Sequence, residues 1–433
     1  MRRWMTTLRR CLRSVLLVAV GLATTATAAE TLQQAWDIAL QSDYSLKAVQ
    51  ENTQAASQQL LAAKAARLPG LEVGAGYTAR DNPPGVATVV NGQPASFPTG
   101  EKNNRNYNAT VSLPIYSSGR ISNSIKSASA LLDASRKDEL SHTLDLKLRV
   151  AEAFVGVLRA NRDLEVADSH VTSLEAHMDD VQNRFDQGMA AQNDLLAAQV
   201  EFADARQEAL QAANKVDLAA AGYNRLLGRP LMQAVNLQGV LPDPERQNFE
   251  TLVALALQQR SELASLTHQI LAMRREANGI RAQARPQLAL SGGYDFLENP
   301  FQAHEGQWSV NLRLQWDVFD GGVRRHQAFA VERQAGSLQD QYDDMATSIT
   351  LEVRQYWLDV QETRKRVQVT KDTIAQADEN LKVNRDRYDN GLSTNAEVLD
   401  AETLRIRSLS NHTNAVNDAV LASLRLKRAT GDL

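Results

Sequence analysis

Arg387 to Ala401 reads RYDNGLSTNAEVLDA, and Arg184 to Ala198 reads RFDQGMAAQNDLLAA. Each stretch ends a helical pattern at one glycine, Gly391 or Gly188, and then restarts it. The two glycines are 203 residues apart. The same offset aligns Pro114-Ile115-Tyr116-Ser117-Ser118-Gly119 with Asp317-Val318-Phe319-Asp320-Gly321-Gly322, Phe154 with Trp357, and Gly228 with Gly431. Upstream the offset becomes 217, pairing Pro69 with Pro286 and Gly76-Tyr77 with Gly293-Tyr294. The 14 extra residues fall in a stretch rich in Pro, Gly and Asn between Asp81 and Asn104, read as a loop. The chain is therefore a tandem duplication, with copies at 29–242 and 243–433. They meet near Leu241-Pro242-Asp243-Pro244, where two prolines mark a linker.

Each copy runs helix, two strands, very long helix, glycine break, helix. In the first long helix Leu146, Val150, Ala153, Val157, Ala160, Leu164, Ala167, Val171, Leu174, Met178, Val181 and Phe185 step by four and three. Ile349, Val353, Tyr356, Val360, Val367, Ile374, Ala377, Leu381 and Tyr388 keep the step less purely in the second. This is a coiled-coil period. From Gly119 to Gly188 such a helix is about 100 Å long. The flanking helices, near 31–67 and 192–228, are each half as long and could stack end to end along it.

The strands show the other period. Leu71, Val73, Ala75, Tyr77 and Ala79 alternate with Glu72, Gly74, Gly76, Thr78 and Arg80 over 71–80. Tyr107, Ala109, Val111 and Leu113 do so over 105–113, and Leu288, Leu290, Tyr294 and Phe296 over 287–297. Trp308, Val310, Leu312, Leu314 and Trp316 complete the set over 307–316. Alternation over about ten residues fits strands of an outer-membrane barrel, with Trp308 and Trp316 as candidate members of its two aromatic girdles. The competing reading is a hairpin with one face on a soluble core. Four strands cannot close a barrel, and lipid forbids open edges, so spanning strands imply that several chains share one barrel.

Composition narrows the classes further. The 433 residues carry a formal charge of −4 and only 5% aromatics, with no basic stripe, which argues against nucleic-acid binding. Residues 1–28 combine five arginines, an apolar run from Val15 to Ala23 and the small-residue site Ala26-Thr27-Ala28. They read as a signal peptide. Its removal would take the charge to −9 and the one cysteine, Cys11, leaving no disulfide, thiol chemistry or N-terminal lipid anchor. No catalytic constellation or cofactor motif is present. Gly74-Ala75-Gly76 lies in a strand pattern without a phosphate-loop lysine. His170 and His177, with Met178-Asp179-Asp180, read as a solvated helix face rather than a metal site.

This layout resembles the TolC-type outer-membrane channels of efflux pumps and type I secretion systems. The resemblance covers 29–433 and rests on the opening TLQQAWDIAL at Thr31, the helix exits RLPGLEVGAGY and RPQLALSGGY, the strand exits LPIYSSGR and WDVFDGGVRR, and the two glycine breaks. It implies a mixed α/β membrane protein and a homotrimer in outer-membrane lipid. Four strands per chain would give a twelve-stranded β-barrel, and the helices a tunnel across the periplasm. It also implies partners: a periplasmic adaptor and an inner-membrane pump or ABC transporter. Gly188-Met189 and Gly391-Leu392 become periplasmic tips that dock the adaptor. Glu397 and Asp400 match the family's acidic pair at the closed end of the tunnel, where rings of carboxylates would favour cations and titrate above ordinary values. Asp194 stands in the place of Glu397 in the first copy, while Ala197 replaces the second acid. Against a pore role, Thr394-Asn395-Ala396-Glu397 is also a helix capping box. The family's gate is held by tip hydrogen bonds and salt bridges; Leu392 and Ser393 supply no long cation for one. The alternative function is a periplasmic coiled-coil adaptor or scaffold without a channel, which should show one helical hairpin between β-rich domains. This chain shows two hairpins and four strands.

Overall fold

The computed structural model describes residues 29–239 and 248–433. Residues 1–28, read from the sequence as a signal peptide, and the boundary near 242 lie outside them. The chain opens with α1 (Leu32–Ser42) and α2 (Tyr44–Ala65), followed by β1 (Gly70–Ala79), β2 (Gly85–Val90), β3 (Gln93–Pro98) and β4 (Asn103–Tyr116). Then come α3 (Arg120–Asp186) and α4 (Gln192–Leu226). The second copy supplies α5 (Phe249–Gln259), α6 (Ser261–Gln283), β5 (Gln287–Leu297), β6 (Gly306–Gln315), α7 (Val323–Asp389) and α8 (Asn395–Thr430).

Two local expectations change. The single helix expected near 31–67 is broken at Asp43, whose extended backbone ends α1 while its carboxylate accepts the Leu46 N–H that opens α2. Arg260 marks the equivalent break between α5 and α6. The expected loop of 81–104 contains the β2–β3 hairpin. It turns at Asn91-Gly92 with φ of 55° and 80°, the left-handed pair that a two-residue hairpin turn requires.

The main sheet is antiparallel in the order β1-β4-β5-β6. Its register places the apolar sets of all four strands on one face: Val73 lies opposite Ala109, Ala109 opposite Tyr294, and Tyr294 opposite Trp308. Glu72, Thr110 and Ser309 take the other face with Gly293 between them. The apolar face is open to the surroundings, with Val73 73%, Val310 80% and Trp308 82% exposed. Strand β6 stops one residue short of Trp316, whose indole N–H donates to Ala284 O at 3.1 Å where α6 ends. Trp308 lies on the apolar face opposite Tyr294, and Trp316 follows the last residue of β6. No helix among the described residues is long and apolar enough to cross a membrane.

Strands become helices at glycines. Gly119 and Gly322 are the N-caps of α3 and α7 with φ of 92° and 87°, a conformation that L side chains resist. Strands β4 and β6 thus run into α3 and α7, while α2 and α6 lead into β1 and β5. The helices adjoining the sheet pack in the matching order α2, α3, α6, α7, and farther away α4 replaces α2 beside α3 while α8 replaces α6 between α3 and α7. The half-length helices therefore stack along the 67-residue α3 and α7. About halfway along the long helices, Ala35, Ala39, Leu146, Val150, Phe154 and Tyr223 form one buried cluster, and Leu252, Ala256, Leu263, Ile349 and Val353 form its counterpart.

Between β4 and β5 the backbones approach so closely that a Cβ on Gly293 would lie 2.4 Å from Ala109 O. Gly293→Ala should weaken this pairing and destabilise the protein by about 1–3 kcal/mol. A lowered thermal midpoint of the detergent-solubilised protein is the expected result; an unchanged midpoint would refute the close approach.

Candidate functional site

The far end of the helices, opposite the sheet, gathers most residues singled out by the sequence. Helix α3 ends in a six-to-one turn: Met189 N–H donates to Arg184 O at 2.8 Å and Gly188 N–H to Phe185 O at 2.8 Å. Helix α7 ends identically, with Leu392 N–H on Arg387 O at 2.8 Å and Gly391 N–H on Tyr388 O at 3.0 Å. Such endings need a left-handed residue, and Gly188 and Gly391 supply it at φ of 73° and 70°. Both turns hold out an apolar side chain, Met189 and Leu392, 67% and 69% exposed.

After its turn α8 starts on a capping box: Thr394 Oγ1 accepts from Glu397 N–H, and the Glu397 carboxylate accepts from Thr394 N–H and Ser393 Oγ. The hydroxyl and amide donors hold the Glu397 carboxyl below the usual glutamate range. Within one chain its titration thus moves opposite to the upward shift expected of a carboxylate ring. Glu397 and Asp400 are exposed on one face of α8, opposite the buried Asn395, Val398, Ala401 and Glu402. Asp194 is half-buried in the first turn of α4, and its carbonyl oxygen accepts from Asn395 Nδ2 at 3.1 Å.

The contacts between the two hairpins were not legible in the sequence. Arg184 Nη2 pairs with Asp389 at 2.7 Å and its guanidinium lies over the Tyr388 ring. Two turns farther from the tip along α3, His177 Nε2 meets Asn395 Oδ1 at 2.7 Å, and Asn395 Nδ2 donates to Asp194 O at 3.1 Å. Next, Arg385 Nη2 reaches Ser173 Oγ at 2.6 Å and the buried Glu402 at 3.3 Å. Tyr388 packs against the apolar clusters of both tips, Val181-Leu195-Ala198 and Leu381-Val398-Ala401. Arg184 of the first repeated word thus pairs with an acid of the second. The doubled R-aromatic-D signal contained both partners; their pairing across copies depends on the side-by-side packing of the hairpins.

His177 corrects an expectation. It does not lie on a solvated face but is buried at 6% exposure between α3, α7 and α8. His170 is seven residues away and approaches Glu208. No group of three or more metal-ligating side chains occurs among the described residues.

Comparison with known proteins agrees with this geometry. The family model described as "Outer membrane efflux protein" matches residues 35–229 and 252–432, one segment in each copy. The alkaline protease secretion protein AprF of Pseudomonas aeruginosa is 26% identical over 68% of this chain and 63% of its own length. Outer membrane protein TolC of Vibrio cholerae is 22% identical over 96% of this chain and 94% of its own. Among solved structures, the Vibrio cholerae outer membrane protein VceC superposes with a TM-score of 0.78 at 18% identity, covering 92% of this chain and 96% of that one. CusC gives 0.77 at 18% identity, with 92% of each chain covered.

Asn395 holds both hairpins together through opposite ends of one amide. Asn395→Ala would leave the buried His177 N–H unpaired and remove the bond to the Asp194 carbonyl, a loss of about 1–3 kcal/mol. Chemical denaturation should show the lowered midpoint; an unchanged one would mean that these bonds do not form.

Proposed function

We propose, for a chain that belongs to the outer membrane efflux protein family, that three copies form one conduit from the periplasm through the outer membrane. The family places the protein in the outer membrane as an efflux channel, with its long helices in the periplasm, and excludes the adaptor alternative. Such channels are not enzymes. The trimer, the partners and the site roles are our reading.

The observation that carries it is the matching lateral order of the two layers. Strands β1 and β6 are the open edges of the sheet, and α2 with α4, and α7, are the corresponding edges of the helices. Unpaired backbone at a sheet edge is intolerable in hydrocarbon. The helical edges also present unmatched apolar residues: Leu196, Val200, Leu210 and Leu218 on α4, Leu351, Leu358, Val369 and Val383 on α7. A ring of copies joins β6 to the next β1 and α7 to the next α4. Three copies supply twelve strands, enough to close a barrel. Outward Trp308 and Trp316 then sit at the two membrane interfaces.

At the other end, the exposed acidic face of α8 would line the constriction. Glu397 and Asp400 are three residues apart and share a helix face, so a trimer stacks two carboxylate rings, with Asp194 contributing nearby from α4. The exposed Met189 and Leu392, held out by the turns at Gly188 and Gly391, would dock the helical hairpin of a periplasmic adaptor. That adaptor would link the conduit to an inner-membrane pump or ABC transporter, which drives transport; the conduit itself is passive. Its cargo is small molecules, as in drug efflux, or protein, as in type I secretion.

Single-channel recording in planar bilayers tests this reading. The wild type should conduct with cation preference and be blocked by multivalent cations. Glu397→Gln with Asp400→Asn should reduce both. Unaltered selectivity and block would leave the two acids as helix caps, and absence of any conductance would remove the channel.

A further inference from the structure

Where the strands meet the helices, at the periplasmic end of the sheet, the charge balance of the chain reverses. Over its whole length the protein carries 47 Lys and Arg against 51 Asp and Glu. The four junctions, residues 64–69, 114–126, 281–287 and 315–326, hold eight cations against two acids, a surplus of six positive charges. Both acids, Asp317 and Asp320, are already taken by Arg324, and Arg281 is paired with Glu332 from farther along α7. Lys64, Arg67, Lys126, Arg285 and Arg325 are exposed and have no carboxylate partner among the described residues.

One of these cations shares a cavity with the lipid face of the sheet. The β4–β5 register shifts between Pro114 and Tyr116, which brings Tyr116 opposite Leu288, itself opposite Leu314. Leu288 and Leu314 are each two residues from the pair Leu290 and Leu312, so all four stand on the apolar face. Without the shift, Tyr116 would fall on the polar face with Ser112; the bulge re-aims it toward lipid. Tyr116, 59% exposed, and Ile115 form one wall of a cavity of about 290 Å³. Arg67, just beyond the end of α2, with Ser117 and Ser122, supplies its polar side. The Ser122 hydroxyl is spent on Gly119 O. Ser117 Oγ accepts from Ile121 N–H at 3.4 Å, which leaves its proton to donate.

We infer that this cavity is a phospholipid site: it takes an anionic headgroup on the periplasmic side of the membrane, with the phosphodiester on the Arg67 guanidinium and the Ser117 hydroxyl, and an acyl chain along Tyr116, Leu288 and Leu314. A guanidinium fork matches two phosphate oxygens. The apolar column begins where the phosphate sits, so adjoining surfaces satisfy the head and the tail of one amphiphile. A free phosphate would use the cation and leave the column bare. The other unpaired cations carry the same attraction around the junction, each strengthening attachment to an anionic surface about fivefold. The site holds the strand–helix junctions at headgroup level and so fixes the depth of the sheet. The inference rests on the reading that the sheet lies in the outer membrane, and it is independent of the trimer and of the tip roles.

The test is native mass spectrometry of the detergent-solubilised full-length protein, with the thermal midpoint as second readout. The probes are phosphatidylglycerol, phosphatidylcholine and inorganic phosphate. The wild type should retain phosphatidylglycerol and gain thermal midpoint from it. It should retain less phosphatidylcholine, whose choline cation opposes the basic junction, and gain nothing from inorganic phosphate. Arg67→Gln should cut phosphatidylglycerol retention about fivefold, and adding Arg285→Gln and Arg325→Gln should cut it further. Lys371→Gln with Lys382→Gln, which removes two exposed cations far along α7, should change nothing. Equal retention of the two lipids overturns the inference, as does retention in Arg67→Gln equal to the wild type. A midpoint raised as much by inorganic phosphate as by lipid also overturns it, since the cavity would then be a plain anion site. If the triple variant fails to assemble, Arg67→Gln alone decides. Flotation with vesicles separates this failure from failure of the membrane reading. A wild type that floats with vesicles of neither lipid removes the membrane-embedded sheet and the inference together. One that floats with both, yet holds phosphatidylglycerol regardless of Arg67, removes the site alone.

Discussion

A peptide group at the edge of a sheet has one donor and one acceptor that water satisfies and hydrocarbon does not. This chain makes a four-stranded sheet whose continuous apolar face, from Val73 through Ala109 and Tyr294 to Trp308, belongs in lipid. It leaves β1 and β6 unpaired at the sides. The remaining architecture follows from carrying these edges to another copy. Each strand of the main sheet adjoins a helix at one end, so the lateral order of the sheet is imposed on the helices, and the helical edges inherit the same need for a neighbour.

The duplication fits this requirement economically. Each copy contributes two strands and one long helical hairpin, and the halves come together as β4 against β5 and α3 against α6 and α8. A repeat that only capped its own core would not need to place its edges so consistently. The glycines mark where direction or structure changes: Gly119 and Gly322 turn strand into helix, Gly188 and Gly391 turn long helix into short. Between these points the chain needs only a sustained period of three and four.

The periods made the strands, long helices and tips legible, because each is a local pattern in the chain. Asp43 and Arg260 were missed as breaks because the apolar spacing continues across them. The β2–β3 hairpin carries its turn signal at Asn91-Gly92, but the surrounding abundance of Pro and Gly reads as loop. At the tips, Gly188, Gly391 and the capping acid Glu397 were found where expected because caps are read within one turn. His177 was misread for the opposite reason. Its acidic neighbours in sequence point to a solvated face, but its burial is decided by Asn395 and Tyr388, more than 200 positions away in the chain. The Arg184–Asp389 pair is likewise a property of two hairpins side by side. Contacts between copies of the repeat carry the tip's specificity, and a periodic sequence is silent about them.

The claim on which everything else depends is that β6 of one chain pairs with β1 of the next. Cysteine cross-linking measures it directly, in a Cys11→Ser background that leaves no other thiol. One cysteine is placed at Val310 or Leu312 on β6, and a second is moved along β1 through Leu71, Glu72, Val73, Gly74 and Ala75. Oxidation in outer membranes should yield covalent trimers with a period of two, from Leu71, Val73 and Ala75 and not from Glu72 or Gly74, because only alternate residues share the lipid face. Cross-links that stay within one chain, or trimers formed equally from every β1 position, would contradict a continuous barrel shared between chains.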